Sequence, residues 1–174
     1  DAWAEQQDDK PALAWMNDES EDVAVYSFGD LKRMSNQAAN FFKSHGIRKG
    51  DTVMLILKQR VEVWVAMIAL HKIGAIAIPA TYLLTPKDIV YRVELADIKM
   101  IVTIDDEEIV GHVNDAMPEC PTVKTLAAVG DNIPQGWIDF RRERAAQSTD
   151  WAKPTGDEYA GERDIMLLYF TSGT

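Results

Sequence analysis

Between Thr52 and Val129, short apolar runs of strand length alternate with longer segments of helical period. A chain of that pattern folds as a mostly parallel sheet with helices on both faces. Thr52 to Leu57 is a strand apolar enough to be buried on both sides. Val61 to Lys72 is a helix, apolar at almost every position from Val63 to Leu70, and is expected to be buried on most sides. Gly74 ends it, and Ala75 to Ile78 is the next strand. Thr85-Pro86-Lys87-Asp88 starts a further helix with a Thr cap, Pro at the first position and an acid at the third, and Ile89, Val93 and Ala96 form its apolar stripe. Met100 to Thr103 is a strand, Asp106 to Ala116 a helix, and Val123 to Val129 a strand.

The region before Thr52 reads differently. Ala12 to Met16 and Val23 to Tyr26 are short apolar runs around the polar stretch Asn17 to Asp22, the pattern of a β-hairpin. Ser27 stands three residues before Asp30, the spacing of a capping box, and Leu31, Met34, Ala38 and Phe41 continue at helical period. A helix over 28–45 stopped by Gly46 follows. After Val129 a helix is expected near Asp139 to Ala146, then a polar loop. Ile165 to Phe170 reads as a strong, buried strand running into Thr171-Ser172-Gly173-Thr174. A strand followed by a hydroxyl- and glycine-rich turn can present N–H groups and hydroxyls to phosphate, although the same four residues also suit an ordinary strand-end turn. The sequence stops in the middle of that turn, so a piece of a longer protein is expected.

Composition narrows the function. The 174 residues are 47% hydrophobic and 26% charged, enough for a real core. The net charge of −10 argues against a general nucleic-acid binder. Lys and Arg concentrate between residues 31 and 103, either facing an anionic ligand or lying on solvated helix faces. No apolar run approaches the ~20 residues of a membrane span. The lone Cys120 permits no internal disulfide and suits a reducing compartment, with the cytoplasm as the expectation.

Several chemistries find no support. G-x-G-x-x-G is absent. Gly156 and Gly161 have the outer spacing of a Walker loop, but Glu162 stands where Lys is required. Ser172 lacks the frame of a hydrolase elbow. His45, His71 and His112 are far apart and have no motif partner, so structural roles are expected. Asp105-Asp106-Glu107-Glu108 lacks Ca²⁺-loop spacing and suits a helix start. The five tryptophans show no stacking-platform period.

Four segments, in order, resemble the N-terminal part of the AMP-forming, adenylate-forming superfamily of acyl-CoA synthetases. They are Pro11-Ala12-Leu13-Ala14 with Tyr26-Ser27-Phe28-Gly29-Asp30-Leu31, and Gly46-Ile47-Arg48-Lys49-Gly50-Asp51-Thr52-Val53. They continue with His71-Lys72-Ile73-Gly74-Ala75-Ile76-Ala77-Ile78-Pro79 and Tyr169-Phe170-Thr171-Ser172-Gly173-Thr174, the last being similar to the first half of the family's phosphate loop. Leu84 to Arg92 and Val53 to Leu57 look most like the acetyl-CoA synthetase-like and medium-chain branch.

The resemblance implies an α/β fold: a mostly parallel sheet flanked by helices, with an N-terminal hairpin, forming an incomplete subdomain of a larger adenylate-forming fold. Residues 1–174 are then the N-terminal part of the AMP-binding domain, ending within its phosphate loop. It also implies that a carboxylate attacks the α-phosphate of Mg²⁺-bound ATP, and that the thiol of CoA then displaces AMP. Thr171, Ser172, Gly173 and Thr174 map onto loop positions that hold the ATP phosphates. No residue here matches a catalytic motif or a metal ligand of the family. The piece alone is expected to be inactive, to hold no cofactor, and to self-associate through apolar surface that a further subdomain would cover. An adenylation domain loading a carrier protein, a non-catalytic nucleotide-binding module and an interaction scaffold remain as alternatives.

Overall fold

The computed structural model describes residues 1–17 and 23–171. Its elements are α1 (Ala2–Gln6), β1 (Pro11–Met16), β2 (Val23–Ser27), α2 (Phe28–Ser44), β3 (Thr52–Ile56), α3 (Val61–Ile73) and β4 (Ile76–Pro79). They continue with α4 (Pro86–Ala96), β5 (Ile98–Ile104), α5 (Glu107–Ala116), β6 (Thr125–Val129), β7 (Ile138–Asp139) and α6 (Phe140–Ala145). The hairpin is present, with Ala14 opposite Val25 and Trp15 opposite Ala24. The tip expected between its strands includes Asp18 to Asp22, which lie outside the described residues.

The central sheet runs β4-β3-β5-β6-β7, parallel at every pairing. Every residue of β3 is buried, as its unbroken apolar run predicts. The α3 connection leads from β3 to β4, and the α4 connection leads back across β3 to β5. Right-handed crossovers therefore put α3 and α4 on opposite faces. The packing agrees: α2 lies against α3 and α6, and α4 against α5. Two buried threonines tie strands to their surroundings. Thr52 Oγ1 donates to the carbonyl of Ala96 at 2.8 Å, and Thr103 Oγ1 to that of Ile56 at 3.3 Å.

Local signals place the helix ends. In α2 the Asp30 N–H donates to Ser27 Oγ and the Ser27 N–H donates to Asp30 Oδ2, closing the capping box. Thr85 and Asp88 do the same for α4. Gly74 takes φ +79° at the end of α3, a left-handed conformation that suits glycine. No helix among the described residues is long and apolar enough to cross a membrane.

One expectation needs correction. Ile165 to Phe170 is not a buried strand. It touches β4 through one parallel bridge, Ala77 with Leu167, and Ile165 and Tyr169 are 63% and 64% exposed. The apolar run is real, but β4 is the edge of the sheet, and among the described residues nothing pairs with or packs on the segment's far side. α3 is buried on most sides, as expected: Val65, Ala66, Ala69 and Leu70 are fully buried, and Trp64 alone of its residues is exposed. It packs against α2 and β4. Finally, α1 was not foreseen. It is a single turn held by Trp3 stacking on Phe28 at 5.9 Å, a contact that local sequence does not announce.

Candidate functional site

The segment leading to the hydroxyl-rich turn is fixed at its start, its middle and its end. At its start, Asp164 Oδ2 accepts from the Gly161 N–H at 2.7 Å and pairs with Lys49 Nζ at 3.0 Å. Those two donors hold the Asp164 carboxyl below the usual carboxylate range, the Gly161 N–H chief among them. In the middle, the Ala77 N–H donates to the Met166 carbonyl at 3.1 Å and the Leu168 N–H to the Ala77 carbonyl at 3.0 Å. At the end, Phe170 sits edge-on to Tyr91 at 6.2 Å and under the Arg92 guanidinium at 5.1 Å. Arg92 is itself held by α4, donating to the Asp88 carbonyl at 2.9 Å.

This anchoring decides where Thr171 stands. The segment runs parallel to β4 with Leu167 opposite Ala77, so the chain leaves it at the carboxyl end of the sheet. Thr171 is exposed there. Ser172, Gly173 and Thr174, the other expected phosphate-binding residues, lie outside the described residues. In open α/β sheets the carboxyl ends of the strands are where ligands bind.

The rest of that end is polar. The strand order reverses between β3 and β5, and there Lys58 Nζ meets Asp106 Oδ2 at 3.6 Å and lies over the Tyr82 ring at 4.3 Å. Asp105 Oδ2 accepts from the N–H groups of Asp131 and Asn132 at 2.8 and 3.0 Å. Burial alone would raise the Asp105 pKa, but these backbone donors outweigh it and the carboxyl is held below the ordinary range. The acidic run thus has structural work: Asp105 fixes a loop, Asp106 caps α5 by accepting from the Ile109 N–H, and Glu107 and Glu108 fill its first turn. Among the described residues no group of His, Cys, Asp and Glu side chains converges to hold a metal.

The histidines serve the scaffold. His45 caps α2 and packs on Phe41 at 4.6 Å, and His112 Nδ1 lies 2.9 Å from the Leu84 carbonyl. His71 is half-buried, and loss of water lowers its pKa. Cys120 is buried, and that burial pushes its thiol up, away from thiolate chemistry.

Sequence reasoning missed a second polar cluster at the same end of the sheet, where Glu62 and Arg144 line a cavity behind the hairpin. One signal was available: Glu62 is the only charge in the otherwise apolar run Val61 to Leu70.

Comparison with known proteins fits this architecture. The family described as "AMP-binding enzyme" matches residues 1–174. Human "Acyl-coenzyme A synthetase ACSM1, mitochondrial" is 33% identical over 180 residues, covering 100% of this chain and 30% of the relative. Mouse "Acyl-coenzyme A synthetase ACSM4, mitochondrial" is 34% identical over 167 residues, covering 94% and 27%. The chain therefore spans about 30% of the length of such relatives. Among solved structures, an acyl-CoA synthetase of Brucella canis superposes with TM-score 0.78 at 27% identity, over 95% of this chain and 29% of that one. The anthranilate CoA ligase AuaEII, in complex with anthranoyl-AMP, superposes with TM-score 0.81 over 94% and 29%, and at 22% identity this is a likeness of fold. With the family matched along its whole length, the chain belongs to the AMP-binding enzymes, the adenylate-forming group that includes the acyl-CoA synthetases.

Proposed function

We propose that this chain is the N-terminal part of the AMP-binding domain of an AMP-forming acyl-CoA synthetase. The full-length protein joins a carboxylic acid to ATP, releasing pyrophosphate, and then passes the acyl group to the thiol of CoA, releasing AMP. The first step brings two anions together, so it depends on positioning and on neutralising phosphate charge. Thr171, Ser172, Gly173 and Thr174 take that part for the ATP phosphates, through hydroxyl and backbone N–H donors. Mg²⁺ accompanies the ATP. The observation that carries the reading is the Tyr169 to Thr174 motif joined to a segment whose register on Ala77 delivers Thr171 to the carboxyl end of the sheet.

The relatives' names favour CoA as acceptor over a carrier protein, and they favour the medium-chain branch. The test is product analysis with the full-length protein, ATP, Mg²⁺, CoA and a series of acids from acetate upward. Acyl-CoA and AMP in equal amounts are expected. Acid-dependent AMP formation with no thioester on CoA would instead favour a carrier-protein loader. The 174-residue chain alone is expected to be inactive. A lone buried thiol suits the cytoplasm, while the relatives are named as mitochondrial, and subcellular fractionation decides between the two.

A further inference from the structure

A chain of side-chain contacts joins the start of α4 to the turn at Thr171. It begins at Asp88, whose Oδ2 accepts from the Thr85 N–H at 3.0 Å and from Thr85 Oγ1 at 2.7 Å. The other carboxylate oxygen, Oδ1, lies 3.7 Å from Arg92 Nη1, and the Asp88 carbonyl accepts from Nη1 at 2.9 Å. The guanidinium is thereby held over the Phe170 ring, 5.1 Å from its centroid, with only 17% of the Arg92 side chain exposed. Tyr91 meets the same ring edge-on at 6.2 Å. Among the described residues the last backbone bond from the segment to β4 is made by Leu168, so beyond it the ring contacts of Phe170 hold the segment's end. Arginine suits this place better than lysine, because a planar guanidinium can lie on a ring face while its N–H groups bond to a carbonyl.

We propose that Arg92 is a positioning residue for ATP: through the Phe170 ring it fixes the backbone that carries Thr171 toward the nucleotide's phosphates. The proposal rests on the phosphate-loop reading of Thr171 to Thr174. A loop held in this way is already in its binding-competent arrangement. Without the contact the competent fraction falls, and the apparent affinity for ATP falls by the same factor. Loss of one cation–π contact corresponds to a factor of about two to thirty. Saturating ATP restores the arrangement, so kcat is unmoved, and so is the KM for the acid measured at saturating ATP.

The test is the steady-state kinetics of acid-dependent pyrophosphate–ATP exchange by the full-length protein with Mg²⁺. Arg92→Met keeps the stem and removes the charge. It should raise the KM for ATP about two- to thirtyfold and leave kcat and the KM for the acid unchanged. Arg92→Lys, which keeps a charge but not the planar face, should raise it less. In a Phe170→Leu protein, Arg92→Met should raise the ATP KM by a markedly smaller factor, because the ring it acts through is gone. A merely structural loss would lower the amount of active enzyme and leave the ATP KM alone. An unchanged ATP KM in Arg92→Met, equal rises for ATP and acid, or independent, multiplying effects of the two substitutions would each overturn the proposal. If circular dichroism finds Arg92→Met unfolded, Arg92→Lys, alone and with Phe170→Leu, carries the same comparison. A wild-type protein without acid-dependent exchange would overturn the phosphate-loop reading and the proposal with it. An active wild type beside a variant with an unmoved ATP KM would overturn the proposal alone.

Discussion

Removing the ring of Phe140 should destabilise the fold more than any surface change. Phe140 opens α6 and is fully buried. Its ring meets Phe41 edge-on at 5.1 Å and Phe42 at 5.9 Å, so it joins α6 to α2. A buried Phe→Ala change costs about 3–5 kcal/mol in lost transfer energy and cavity formation. Two ring contacts are lost with it, each worth about 0.5–1.5 kcal/mol, which places Phe140→Ala in the upper half of that range. At roughly 2–4 °C per kcal/mol for a domain of this size, the melting temperature should fall by about 8–20 °C. Urea unfolding at neutral pH measures the loss directly, read from the midpoint at constant slope. Phe140→Leu, which keeps most of the volume, should cost under about 1.5 kcal/mol. A loss below about 2 kcal/mol for the alanine variant would refute the reasoning, because it would mean that the three rings do not pack as one unit.

Other consequences follow from single residues. Ser27→Ala removes the hydroxyl half of the α2 capping box, leaving the backbone N–H bond to Asp30, and should cost about 1 kcal/mol in urea unfolding. Bonding to the Ser27 backbone N–H, to Arg33 and to the Ser27 hydroxyl depresses the Asp30 pKa, and only the hydroxyl part is lost in the variant, so that part of the gap is present at neutral pH and is lost as pH falls through the depressed Asp30 value; a gap between wild type and variant that widens in acid would contradict this. Lys72 lies against Ser35, Asn36 and Asp1, and burial, with Lys32 nearby, lowers its pKa to about 8. Above about pH 8 and below the ordinary lysine value of ~10.4, the unfolded chain keeps a proton that the folded chain has released, so stability should rise with pH there. Lys72→Met should remove that rise, and an identical pH profile for the variant would count against it. Leu95, Ile165 and Tyr169 are each more than 60% exposed near one sheet edge. The 174-residue chain should therefore self-associate in light scattering, less so as Ile165→Lys/Tyr169→Lys, and a monomer at high concentration would refute this.

The parts of the fold legible in the sequence were those fixed locally. The capping boxes at Ser27 and Thr85 need only residues three apart, and Gly74 needs only its own backbone freedom. β3 was legible because burial on both faces leaves an unbroken apolar run. Ile165 to Phe170 carries the same kind of run, yet pairing depends on which strand lies beside it and what covers it, and neither is written within six residues. The loop 145–150 was illegible for a related reason. It is held by side chains of α2, with Asn36 donating to the Thr149 carbonyl and Asn40 to those of Ser148 and Asp150, about a hundred residues away. In the candidate site, Thr171 was proposed from a contiguous motif. Glu62 and Arg144 were not, because only the packing of α6 beside α3 brings them to one cavity.

The central claim is that the full-length protein activates a carboxylic acid as its adenylate. Isotope exchange between pyrophosphate and ATP, followed with Mg²⁺ and acid but without CoA, isolates that step. The account predicts exchange that requires the acid and falls at least about tenfold in Thr171→Val/Ser172→Ala, which removes two of the loop's hydroxyl donors. Exchange that proceeds without any acid, or that is untouched by the double substitution, would contradict it.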